Sequence, residues 1–140
     1  MAKKVFVSFD WDNDKHYKYL LQAWDANPDF DFSFSDYSSS KIKSSDIPTV
    51  KSALTTKINT ADYTLVIVGT EANKEHEDSD AIGYTNWLNF EIAKSKANGN
   101  KLIGVKLSSG NTSPDELLGS GASWAMSFER DAVLKALDEA

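Results

Sequence analysis

Residues 63–69 read Tyr-Thr-Leu-Val-Ile-Val-Gly, YTLVIVG. The run has the length of a strand and is nearly all apolar. A strand with one wet face alternates apolar and polar residues; one without alternation is covered on both faces, as a central strand of a parallel sheet is. Parallel neighbours are joined by crossovers, usually helices. The chain on either side should therefore alternate strand with helix.

It does. Upstream, Lys4-Val5-Phe6-Val7-Ser8-Phe9 is a β-branched and aromatic run of strand length. Asp10-Trp11-Asp12-Asn13-Asp14 then makes a loop and a helix start. Tyr17, Leu20, Leu21 and Trp24 follow at helical spacing, which predicts an amphipathic helix over residues 14–26, stopped at Asn27-Pro28-Asp29. Phe30-Asp31-Phe32-Ser33-Phe34 alternates and predicts an edge strand. The polar stretch 35–45, SDYSSSKIKSS, is a long loop. Asp46 stands where a helix cap belongs, Pro48 suits the first turn, and Val50, Leu54, Ile58 and Ala61 form the inner stripe.

Downstream of YTLVIVG comes an acidic loop, Glu71 to Tyr84, in which Glu71, Glu75, Glu77, Asp78 and Asp80 read as a solvated charge run. A helix starts near Thr85 or Asn86 and stops at Asn98-Gly99-Asn100. Residues 101–107, KLIGVKL, form the next strand. Ser113-Pro114-Asp115-Glu116 caps one helical turn, 123–128 is a short fifth strand, and 129–137 is a closing helix with Val133, Ala136 and Leu137 inward. This alternation predicts one α/β domain over residues 1–140, a flavodoxin-like three-layer sandwich on a mainly parallel five-stranded sheet of order 2-1-3-4-5. Ligands of such sheets bind beyond the carboxyl ends of the strands, at the switch point beside strands 1 and 3. The segments there are 10–14, 35–45 and 70–86.

Composition removes several function classes. A chain of 140 residues buries about two thirds of its surface and needs no staple. It has no cysteine and two histidines, His16 and His76, which leaves out thiolate zinc sites, cysteine nucleophiles and histidine-rich metal sites. Fifteen Lys and Arg are scattered in a chain of net charge −6, so no basic face for nucleic acid or anionic membranes is expected. No apolar run nears the ~20 residues of a membrane span, and MAKKVFVSFD turns polar too soon for a secretory signal. The expectation is a soluble, cytoplasmic protein. Neither GxGxxG, nor GxxxxGK[ST], nor GxSxG occurs. The acids at 10, 12 and 14 alternate as in a calcium loop, but Lys15 and Leu21 stand where its Gly and Glu belong. Asp10 and Asp12 also resemble the acidic cluster of phosphoryl-receiver domains, yet the end of the third strand, Val68-Gly69-Thr70-Glu71, holds no acceptor aspartate.

One residue conflicts with simple packing. With Trp87 as origin and about 100° per residue, Glu91 falls at about 40°, Ser95 at about 80°, Leu88 at about 100° and Ile92 at about 140°. Glu91 thus lies inside an apolar arc, whereas Asn89 and Lys96 point to the wet side. A carboxylate in that arc is paired, protonated or open to a cavity. The plain alternative is a Glu at the edge of the arc, paired with Lys94 or Lys96. Phe9, Trp11 and Tyr37 border the same crevice; a planar base can stack on such rings, and the alternative is core for Phe9 and surface anchoring for the others. Tyr84 offers the same more weakly.

Three stretches together resemble TIR domains. KVFVSFDWDND is similar to their opening box, FDFSFSDYSSSKIKSSD to the second strand and the loop after it, and NWLNFEIAKSKANGNKLIGVKL to the Trp-x-x-x-Glu helix with its Gly-Asn-Lys turn and strand. The resemblance spans residues 3–107 and is to the small bacterial TIR-like proteins of the ThsB type, from Thoeris anti-phage systems. After Ser108 only the order of elements agrees. The resemblance implies cleavage of NAD+ at the nicotinamide–ribose bond, giving ADP-ribose or a cyclic ADP-ribose isomer as a signal, with NAD+ as substrate and no cofactor. It puts the catalytic glutamate at Glu91 and substrate-binding aromatics at Trp87 and Phe9; Asp10, Trp11, Asp36 and Tyr37, beside the crevice at the ends of the first two strands, complete the expected substrate-binding set. Asp10 departs from the basic residue or histidine common in the family. Homo-oligomers through TIR–TIR contacts and a separate effector answering the product are the partners it implies, with neither nucleic acid nor membrane. A non-catalytic TIR assembly module and a flavodoxin-like nucleotide binder are the alternatives.

Overall fold

The computed structural model describes residues 3–10, 14, 16–26, 32–37 and 46–140, with backbone alone at 35–37. Five strands, β1 (Lys3–Ser8), β2 (Phe32–Tyr37), β3 (Tyr63–Val68), β4 (Lys101–Lys106) and β5 (Ser123–Ala125), form one sheet of order β2-β1-β3-β4-β5. All four pairings are parallel, as the crossovers require. The helices are α1 (His16–Asp25), α2 (Ile47–Asn59), the short α3 (Ser79–Ile82), α4 (Trp87–Asn98) and α5 (Arg130–Glu139), with a 3-10 turn at Asp115–Leu117. None of the described helices is long and apolar enough to cross a membrane.

Every residue of β3 is buried, because β1 and β4 flank it and helices cover both faces. Pleating sends Val5, Val7, Phe9, Leu65 and Ile67 to one face, where they pack with Leu21 of α1 and with Val133, Ala136 and Leu137 of α5. Phe6 goes to the other face, with Leu54 and Ile58 of α2, Ile82 of α3, and Trp87 and Phe90 of α4. Val66 and Val68 meet Leu88 and Ile92 of α4 on that same side. Each buried Leu, Ile, Val or Phe contributes about 1.5–3 kcal/mol relative to exposure.

Four local expectations change. The second strand runs Phe32–Tyr37, later than the alternation from Phe30 places it. β1 is its template: pairing from Lys3↔Phe32 to Val7↔Tyr37 carries the ladder beyond the last phenylalanine. The acidic stretch is not all loop, since α3 lies in it and buries Ile82 completely. Leu20 is 45% exposed, so α1 turns Leu21 inward and leaves its neighbour in water. Asp46 does occupy the N-cap of α2 but makes no side-chain cap bond.

The ends of α4 follow local chemistry. The side chain of Asn86 accepts from the Asn89 N–H at the N-cap. Gly99 closes the helix at φ 79°, a conformation strained for any residue with a β-carbon, and its N–H reaches the Ser95 and Lys96 carbonyls.

Candidate active site

Ser8 ends β1, on the pleat that faces α4. Its neighbour Phe6 on that face is apolar; Ser8 instead carries a hydroxyl with no exposed surface. Glu91, one turn into α4, is likewise 0% exposed. The two meet: the Ser8 hydroxyl donates to Oε1 of Glu91 at 2.5 Å. The carboxylate therefore sits at the carboxyl end of β1, beside β3, where the strand order reverses.

The polar contacts continue down the inner face of α4. Ser95, one turn after Glu91, donates to the Glu91 carbonyl at 2.8 Å and shares a 2.7 Å bond with the Thr64 hydroxyl of β3. The Asn100 amide reaches the same hydroxyl at 3.3 Å and the Ile58 carbonyl at 3.1 Å. These bonds set the rotation of the helix about its axis, which apolar packing alone leaves loose.

The start of α4 is held as firmly. The Asn86 amide donates to the carbonyls of Ala72 and Lys74, at 2.9 and 3.0 Å. Asn89 lies at 1% exposure and does not point to water: its amide donates to Asn73 at 3.0 Å and its oxygen accepts from the Glu116 N–H at 2.9 Å. The loop at 73 and the 3-10 turn cover the side of α4 that the helical wheel leaves wet. Lys96 pairs with Glu116 at 3.0 Å, and Lys94 lies over the Phe90 ring at 5.6 Å.

The other candidates divide between the faces. Trp87 is 7% exposed and stands edge-on to Phe90, with 5.4 Å between centroids. Its indole Nε1 is buried with no hydrogen-bond partner among the described residues. Tyr84 meets Phe90 at 6.0 Å. Phe9 is buried in the cluster of the opposite face, with Leu21 and Ile67, so its ring and the Glu91 carboxylate lie on different sides of the sheet. Asp36 and Tyr37 close β2, in register with Phe6 and Val7, and their side chains lie outside the described set. Trp11 and the segment 38–45 also fall outside the described residues.

Asp10 is half-buried, and its carbonyl accepts from the Asp14 N–H at 2.7 Å. Asp14 is a second buried carboxylate, 5% exposed, and its Oδ2 has no partner among the described residues. It rests on Gly69, just past β3, in the space that a β-carbon would fill. Burial first, then the Asp10 charge, push the Asp14 carboxyl up from 3.8 to about 6, against a downward pull from His16.

Ser8, Asn89 and the Asp14–Gly69 contact are the features that motif reading passes over. Ser8 had one signal, a small hydroxyl residue in an otherwise apolar strand. No group of three or more possible metal ligands occurs among the described residues. A cavity of about 390 Å³ lies at the other end of the sheet, by the start of β4, lined by Lys96, Asn100, Lys101 and Gly121 among others. Lys96 is engaged by Glu116 and Lys101 by the Ala140 carbonyl at 3.1 Å.

Residues 6–112, from the middle of β1 to beyond β4, match a family model described as Thoeris protein ThsB, TIR-like domain. No curated protein matches the chain.

Proposed function

The chain belongs to the TIR-like domain family of the Thoeris protein ThsB, and on that premise we propose that it cleaves the nicotinamide–ribose bond of NAD+ to make a nucleotide signal in anti-phage defence. The observation that carries the reading is Glu91, a carboxylate with no exposed surface at the switch point of the sheet. Nicotinamide leaves as a neutral pyridine and needs no general acid. The ribose becomes positive as the bond breaks, as in glycoside hydrolysis, and a fixed carboxylate stabilises that charge. Outside bulk water the same charge acts more strongly.

Trp87, one turn before Glu91, borders the nicotinamide. Asp10, Trp11, Asp36 and Tyr37 bring the ends of β1 and β2 toward the rest of the nucleotide. Phe9 acts from the opposite face, by anchoring the end of β1. Water attacking the sugar gives ADP-ribose; a base or ribose hydroxyl of the same molecule, with water kept out, gives a cyclic isomer. Because Glu91 has no exposed surface, substrate entry requires the strand ends to open first, so a conformational step precedes chemistry. Self-association through TIR–TIR contacts is one way to supply it, and a separate effector is the receiver of the product.

The test is nicotinamide release by concentrated protein. Glu91→Gln keeps the shape and removes the charge, and release should fall at least about 100-fold, the scale of losing one electrostatic stabiliser. Undiminished release sinks the assignment. The burial of Glu91 also favours a second reading, a non-catalytic assembly module, in which the wild type self-associates and releases no nicotinamide at any concentration.

A further inference from the structure

Glu91 has a long side chain with several rotatable bonds, and helix packing alone does not fix its carboxylate plane. Ser8 has one rotatable bond before its oxygen, and its backbone is held in the sheet opposite Val66 of β3. The 2.5 Å bond joins the flexible group to the rigid one across 83 residues. We propose that Ser8 is a positioning residue: its hydroxyl holds Oε1 and fixes the orientation of the Glu91 carboxylate toward the sugar. The inference rests on the NAD+ reading given above.

Two further observations support a positioning role over simple polar satisfaction. The backbone of the same residue is pinned separately, by Ser95 on the Glu91 carbonyl and by Thr64 on Ser95. Glu91 is thus held at both ends, its main chain to β3 and its carboxylate to β1. The neighbours of Ser8 on this face of the sheet, Phe6 and Val66, are apolar, so Ser8 is the hydroxyl that the end of β1 presents to the carboxylate. Alanine there fits the space and removes only the donor.

The experiment uses the full chain, as wild type, Ser8→Ala and Ser8→Cys, with ¹³C NMR titration of the Glu91 carboxyl and steady-state nicotinamide release. Ser8→Ala should move the Glu91 midpoint to higher pH, because a donor that favoured the charged form is gone. It should lower kcat about 10- to 100-fold, with a smaller change in KM, as expected for an interaction that matters most in the transition state. Ser8→Cys, with a weak S–H donor, should fall between. In a Glu91→Gln background, Ser8→Ala should change the residual rate no further. A Glu91 midpoint that does not move in folded Ser8→Ala overturns the assignment of Ser8; should that variant not fold, the midpoint in Ser8→Cys decides in the same way. A wild type that releases no nicotinamide overturns the NAD+ reading, a distinct result.

Discussion

The two faces of the sheet are built on different principles. Under α1 and α5 the core is an apolar cluster, Val5, Val7 and Phe9 on β1 against Leu21, Val133 and Leu137. Under α4 the apolar packing of Val66, Leu88 and Ile92 is split by a polar seam, Ser8–Glu91 at one end and Ser95–Thr64–Asn100 at the other. The first face presents apolar side chains along β1 and is specified by their shape. The second tolerates buried polar groups because the Ser8–Glu91 and Thr64–Ser95 bonds each join α4 to a strand of the sheet. Stability resides in one face and candidate chemistry in the other.

Changes to each face test this division, the largest effect first. Phe9→Ala should cost about 3–5 kcal/mol in urea unfolding, because the ring fills the apolar face and leaves a cavity. A loss under about 1 kcal/mol would place Phe9 outside the core and make it a ligand contact instead.

Asp14 is a buried carboxylate at the start of α1, and its sign is the reverse of a paired carboxylate. Its folded value of about 6 lies above the ordinary aspartate value of 3.8. Below about pH 4 both states hold the proton and no cost exists; from there to pH 6 the unfolded chain gives its proton up first, and stability falls. Asp14→Asn should therefore be more stable than wild type at pH 8, by at most about 3 kcal/mol, with no advantage at pH 4. Equal thermal midpoints for the two proteins at pH 8 would show that Asp14 bears no such cost.

The smallest effect should come from replacing the polar end of the seam outright. Ser8→Ala with Glu91→Leu removes donor and acceptor together, and buried polar pairs replaced by apolar groups of like volume are often neutral or stabilising. Its stability should lie within about 1–2 kcal/mol of wild type, on either side, with nicotinamide release abolished. A larger destabilisation would mean that the seam holds the fold and not only the site.

Most of the architecture was legible because it depends on patterns within a few residues. YTLVIVG identified a strand covered on both faces, and the caps at Asn86 and Gly99 lie where local chemistry puts them. What failed depends on distant chain. A helical wheel points Asn89 to water because it gives a direction and not what lies there, which is Asn73 and the 3-10 turn. Leu20 follows Tyr17 at helical spacing, but Leu21, Tyr17 and Trp24 take the places against the core and leave it in water. In the site, Glu91 stood out by its place in an apolar arc. Its partner did not, since nothing local links residue 8 to residue 91, and the face taken by Phe9 follows only from the pleat of β1.

That separation has a consequence for timing. Ser8 leaves the ribosome long before Glu91, and parallel strands pair only after the chain between them has crossed over. The bond between them closes when β1, β3 and α4 have all docked. A nascent or partly unfolded chain carries both residues and no oriented carboxylate, so the site exists only in molecules that have finished folding.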